Sequence, residues 1–457
     1  MRKVLVKIVM VVLFFWSVGV FLLTSNETNA RIESRPSAWQ VLDHAYVAHD
    51  NRLLTRYLKN HDIIIRHYAI VLLDLSYRRF KALADDGESC YGTTPETAED
   101  AAALFQCLFA VSSGENIANH PKESYIWEAR AKIFYMRFSS LINKAMRADN
   151  PHGIKDILLP PLDVVEKWPE QVAVLNNNWS AITLDNGSAL AVVGDIPINM
   201  RIDTGSTGIF LSDEAITMLK QKNEIVSLNT VQQSKGIKST KDMQEFYVPR
   251  FKLGPIKVLN AYVSSSNRAY SLFGISYLRL LQKFTLSSNS IQRMHKSPTS
   301  FCSAMRFSHL PVVYAMSSTY LNVPTSLGRL GLMLDSGLTG GGPFANTTVM
   351  LKRSFGVKVV RGGVDSGGVS NVSLVIGKFV GGSKEVKFRT AVFGLKINGV
   401  PTKGYVGLSL GNGDQVAGSM TRDFLKLFDV SYDYPERTMC LTPRRVGAAL
   451  ASPDGFK

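Results

Sequence analysis

The sequence predicts a mainly β body of two related lobes, set behind a membrane-spanning helix and an α-helical region. Three observations predict this. An Asp-Ser/Thr-Gly motif follows an apolar run twice, as IDTGSTGIF (202–210) and LDSGLTGGG (334–342). Helical spacing of apolar residues up to about residue 170 gives way to short β-branched runs separated by Gly, Asn and Ser turns. Near the N-terminus, IVMVVLFFWSVGVFLLTSN (8–26) carries no charge.

That uncharged run is long enough to cross a bilayer as a helix. Arg2, Lys3 and Lys7 precede it and should hold the N-terminus in the cytoplasm, sending the rest of the chain outward. TNA (28–30) fits a signal-cleavage site loosely, but the apolar run is long for a signal peptide, so an uncleaved anchor over 1–26 is the expectation. Either way the body is exported, to the periplasm if the host is bacterial, which the basic anchor and compact lobes suit.

Residues 27–170 read as a helical accessory region. Trp39, Leu42, Tyr46, Leu53 and Tyr57 recur at helical steps, 63–80 reads as a more buried helix, and 124–146 as another. Thr94-Pro95 before an alanine-rich run reads as a helix start. The histidines here (44, 49, 61, 67 and 120) fall in no metal-binding pattern, and the partner of this region is unknown from sequence. The proline-rich stretch 151–170 reads as a junction.

The β texture begins with SAITLDNGSALAVVG, where Asn186-Gly187 signals a hairpin. The Asp motifs head two copies of a weak repeat. Asp203 is followed 33 residues on by Gly236 and 71 on by Gly274 in LFGI. Asp335 is followed 33 residues on by Gly368 and 72 on by Gly407 in YVGL. Each copy closes with a helix-like segment and a β run, 276–294 and 420–441. One Asp-Ser/Thr-Gly motif is common in loops; two with matching downstream order are not. The lobes are placed at 176–300 and 301–443, with a tail at 444–457.

On these residues the sequence resembles the aspartic peptidases of the pepsin and retropepsin type, over about 176–443. The resemblance implies that fold, with both lobes in one chain, and Asp203 and Asp335 as the catalytic pair. It implies that Thr204, Gly205, Ser206, Ser336 and Gly337 support the pair, and that Gly274 and Gly407 lie in psi-shaped loops beneath it. Gly236 and Gly368 are candidate flap tips. Two carboxylates held close cannot easily both be ionised, so one acts as base on a water while the other donates to the scissile carbonyl. The second copy departs from the first at one place: Leu338 stands where Ser206 would offer a hydroxyl.

Composition bounds the alternatives. Hydrophobic residues make 45% of the 457 and charged residues 19%, which is ordinary for globular protein. The net charge of +15 comes from scattered Lys and Arg without an aromatic ladder, so it suits an anionic membrane surface better than nucleic acid. No cofactor or metal is implied. The four cysteines allow three pairings; Cys90–Cys107 with Cys302–Cys440 keeps each pair within one proposed domain, against the alternative of buried free thiols. The resulting expectation is an endopeptidase acting on extended polypeptide. The competing readings are a catalytically inactive double-lobed module that binds peptide or protein, and a β domain whose two Asp residues merely cap turns.

Overall fold

A computed structural model of the chain describes residues 36–47, 50–77, 79–146, 161–235, 240–266, 269–296, 298, 301–307, 319–339, 346–351, 358–360, 363–365, 370–381, 384–406 and 417–444. The expected anchor at 1–26 and the tail beyond 444 lie outside these residues. Among the described residues no helix is long and apolar enough to cross a membrane.

Among the described residues six helices make the N-terminal part: α1 (Ala38–Val47), α2 (Asn51–Tyr57), α3 (Ile63–Tyr77), α4 (Phe80–Gly92), α5 (Ala98–Ala118) and α6 (Pro121–Ala145). They share one apolar core. The helix α5 is its axis, buried on nearly every side, as its run AAALFQCLFAV requires. The amphipathic stretch from Trp39 to Tyr57 is two helices, because Asp50 caps the second by accepting from the Leu53 amide (3.0 Å). Helix α5 likewise starts later than Thr94-Pro95 suggests. Thr97 and Asp100 form a reciprocal capping box, and that pair sets the boundary. Cys90 and Cys107 are disulfide-bonded and tie α4 to α5.

Beyond a helical turn at Leu162–Val165 the chain is mainly β, with one longer helix at Asp213–Gln221 and short helical turns at Ile275–Leu278 and Arg422–Lys426. The first sheet holds, in spatial order, Val172–Leu175, Ile256–Ser266, Ile209–Ser212, Ser271–Gly274, Ile196–Asp203, Ser188–Val193, Thr240–Leu253 and Val226–Lys235. Thr240–Leu253 also pairs with Ile256–Ser266, so the sheet closes on itself. Asn186 and Gly187 both have positive φ (51° and 78°) between the bridged Asp185 and Ser188, the primed turn that their side chains favour. The Ile196–Asp203 strand alternates buried and exposed until Ile202 and Asp203, which are both buried.

The other lobe repeats this order. Its sheet runs Arg306–Phe307, Thr319–Thr325, Gly328–Leu334, Gly418–Met420, Val349–Leu351, Val400–Val406, Lys384–Ile397 and Ser370–Gly381. A third sheet draws on both halves of the chain: Phe301–Ala304, Thr438–Pro443, Phe428–Asp433, Lys283–Leu286, Ser290–Arg293 and Ala181–Thr183. Its disulfide joins directly opposed Cys302 and Cys440. One continuous apolar core underlies the β body, with Phe284, Phe393, Phe428 and Tyr432 among its largest members.

The two candidate flap glycines lie beside the long hairpin strands of each lobe in sequence. In the first lobe Val226–Lys235 and Thr240–Leu253 pair up to Lys235 and Thr240, and Gly236 lies outside the described residues. In the second lobe Ser370–Gly381 and Lys384–Ile397 pair up to Gly381 and Lys384, and Gly368 lies outside the described residues. An inserted small hairpin, Lys358–Val360/Gly363–Asp365, displaces the pair of long strands along the sequence.

Candidate active site

The site is built where the two Asp strands end. Ile196–Asp203 pairs in parallel with Ser271–Gly274, placing Asp203 opposite Gly274. Gly328–Leu334 pairs in parallel with Gly418–Met420, placing Leu334 opposite Met420. The loops that follow lock onto each other by four reciprocal hydrogen bonds. The Thr204 amide donates to Ser336 Oγ (3.0 Å) and the Ser336 amide to Thr204 Oγ1 (3.1 Å). Thr204 Oγ1 donates to the Leu334 carbonyl (2.7 Å), and Ser336 Oγ to the Ile202 carbonyl (2.8 Å). Each hydroxyl both donates and accepts, and each lies buried, so neither lobe can shift without leaving polar groups unsatisfied.

This lock brings the two carboxyl groups together. A Cβ at Gly205 would fall 2.5 Å from Asp335 Cγ, and one at Gly337 would meet the Asp203 carboxyl group. Each glycine thus makes room for the other lobe's aspartate, an approach that no larger residue allows. Asp203 Oδ1 accepts from the Gly205 amide, and Asp335 Oδ1 from the Leu338 amide, both at 3.0 Å. The departure at Leu338 therefore leaves Asp335 a donor, supplied by that residue's backbone. Asp203 is 5% exposed, and Asp335 is half-buried.

The support beneath the pair is also duplicated. The Gly274 amide donates to the Gly208 carbonyl (2.9 Å), and the Ile275 amide to that of Ser206 (2.7 Å). In the second lobe the Thr421 amide donates to the Thr348 carbonyl and the Arg422 amide to that of Leu338, both at 2.9 Å. Ser206 and Leu338 stand equally far from their aspartates, so Thr421 is the counterpart of Gly274. This corrects the assignment of Gly407. YVGL begins at the end of Val400–Val406, which pairs in parallel with Val349–Leu351 and not with the Asp strand; Gly407 itself lies outside the described residues.

Thr421 also has a side-chain task, donating to the Thr347 carbonyl (2.7 Å). A missed neighbour is Arg422, whose guanidinium donates to the Asn186 carbonyl (2.6 Å) and spans the lobes beside the site. Two tyrosines lie close by. Burial pushes the Tyr405 hydroxyl up, and the Asp335 charge adds to it. Burial holds the Tyr432 hydroxyl well above its usual range, while its hydrogen bond with Thr204 opposes the rise. Tyr405 opens the YVGL element, whereas Tyr432 lies in no motif. The signal for Thr421 was legible, because 276–294 and 420–441 align only if Met420-Thr421 follows the Phe273-Gly274 pattern. Among the described residues no three His, Cys, Asp or Glu side chains stand together as a metal would require.

No family model matches the chain, and no curated protein does. Among solved structures it is similar to a retropepsin-like aspartic protease from Rickettsia conorii, with 18% identity, 28% of this chain and 94% of that one covered, and a TM-score of 0.20. It is also similar to an aspartic proteinase from Irpex lacteus, with 10% identity, 62% of this chain and 100% of that one covered, and a TM-score of 0.36.

Proposed function

We propose that the chain is an aspartic endopeptidase that hydrolyses extended polypeptide, with Asp203 and Asp335 sharing the acid and base roles. The observation that carries this reading is the reciprocal Thr204–Ser336 lock, which sets each motif glycine against the opposite carboxyl group. Turn-capping aspartates have no need of such a meeting. With two carboxyl groups at one spot, a single proton between them is the favoured state. The ionised member draws a proton from water lying between them, and the neutral member donates to the scissile carbonyl oxygen. The proton taken from the water then passes to the leaving nitrogen. The hairpins at 226–253 and 370–397 are the segments suited to fold over a bound strand and exclude water. The N-terminal run 8–26 would hold this body outside the cytoplasmic membrane as a single-pass anchor.

The deciding experiment is cleavage of an unfolded protein by residues 31–457 from acid to neutral pH. Asp203→Asn and Asp335→Asn are each expected to lower kcat by about 10²-fold or more. A folded wild type that is inert throughout, yet retains peptides, would replace this reading with the binding module.

A further inference from the structure

The helical region meets the first lobe at a defined joint. Tyr125 and Ile126 of α6, with Val165 and Trp168 after it, pack on Leu228 and Tyr247 of the Val226–Lys235/Thr240–Leu253 hairpin and on Tyr262. The Tyr125 ring lies 5.2 Å from Trp168 and 6.4 Å from Tyr262, centroid to centroid. On the same hairpin strand, Glu245 is buried, accepts from Ser264 Oγ (3.0 Å) and lies within hydrogen-bonding reach of the Tyr125 hydroxyl. Gln171 completes the joint. It donates to the Asn119 carbonyl at the end of α5 (3.2 Å), while its oxygen accepts from the Tyr262 amide (3.1 Å) and the Tyr277 hydroxyl (2.8 Å). Tyr277 stands three residues after Gly274, so the same bracket reaches the support of Asp203.

We propose that the helical region positions the first-lobe hairpin for substrate binding, with Tyr125 and Trp168 as positioning residues and Glu245 as the buried contact between the two parts. This rests on the peptidase reading for the hairpin's role over substrate. The hairpin's pairing with Ile256–Ser266 ends at Glu245–Ser264, and from there towards its tip its two strands pair with each other. The joint therefore grips the hairpin at the last register where the barrel still holds it, which is where a contact controls the angle of everything beyond.

The joint is sensitive to pH. Burial pushes the Glu245 carboxyl up to about 8, and the charge of Glu128 on α6 adds to the rise, while hydrogen bonds from Ser264 and Tyr125 oppose it. Burial pushes Glu128 itself up to about 7, against its bond with Ser112. Tyr125, Tyr247, Tyr262 and Tyr277 also face the joint, and Glu123 and Glu170, the latter paired with Lys122, border it beside Tyr262. Burial favours the neutral form of Glu245; ionising it as pH rises puts a charge into an apolar joint and loosens it.

The test is hydrogen exchange of the two hairpins in the full chain in detergent micelles, with peptide kinetics beside it. Tyr125→Ala and Trp168→Ala should speed exchange in 226–235 and 240–253 by about tenfold and leave 370–381 and 384–397 unchanged. KM should rise about as much, with kcat nearly constant. Wild-type protection of the first hairpin, corrected for the intrinsic pH dependence of exchange, should fall between pH 7 and 9, and Glu245→Gln should abolish that step. Unchanged exchange in the first hairpin, or equal loosening of both hairpins, overturns the proposal. If no peptide is cleaved by any variant, the peptidase reading falls while the exchange result still decides whether the helical region positions the hairpin.

Discussion

At the scale of single residues, the site depends on two hydroxyls and two glycines. Thr204→Val keeps the shape of the side chain but removes the donor to the Leu334 carbonyl and the acceptor for the Ser336 amide. It should cost about 1–3 kcal/mol by urea denaturation, while Thr204→Ser should cost little. Gly205→Ala places a methyl group 2.5 Å from Asp335 Cγ, so cleavage should be lost even where the protein still folds. The motif itself makes these positions legible, because Asp-Thr-Gly and Asp-Ser-Gly are short enough to read directly. What the motif does not show is that the Leu338 amide supplies the bond that a hydroxyl seemed to lack.

At the scale of elements, the two lobes share a plan but not a spacing. The 71- and 72-residue intervals to Gly274 and Gly407 do not mark equivalent positions, because the second lobe carries the small hairpin Lys358–Val360/Gly363–Asp365 before its long strands. Hydrogen bonds define the true counterparts, Gly274 and Thr421. The difference is testable. Gly274→Ala would drive a methyl group to 2.6 Å from the Ser206 and Gly208 carbonyl oxygens, backbone atoms that cannot yield. It should destabilise by roughly 2 kcal/mol or more in a thermal melt. Thr421→Gly should lose only about 1 kcal/mol, the worth of its bond to Thr347 plus added chain freedom. Among the helices, Thr97→Ala removes the cap of α5 and should cost about 1 kcal/mol.

At the scale of the whole molecule, Asp43 and Glu245 are buried and Glu128 is half-buried, and none of the three pairs with a cation among the described residues. Burial pushes Asp43 up to about 7, against the hydrogen bond it accepts from Tyr68, and pushes Glu128 and Glu245 up to about 7 and 8. Their folded values lie above their unfolded ones, so the native state holds more protons between about pH 4 and 8. Stability must therefore fall as pH rises through that window. The melting temperature should be higher at pH 5 than at pH 8, by an amount equivalent to roughly 2 kcal/mol or more. Glu245→Gln should flatten part of that slope.

The sequence by itself determined what is local. Turn chemistry at Asn186-Gly187, periodicity in α3 and α6, the two Asp motifs and the change of texture near residue 170 all arise from neighbouring side chains and backbone preferences. The tertiary structure decided what depends on distant partners. It set the pairing of the long strands in each lobe, the meeting of Thr204 with Ser336 and the packing of Tyr125 and Trp168 against the first-lobe hairpin. Parallel pairing, insertions and interfaces join residues far apart along the chain, and their spacing in sequence carries no record of which ones meet.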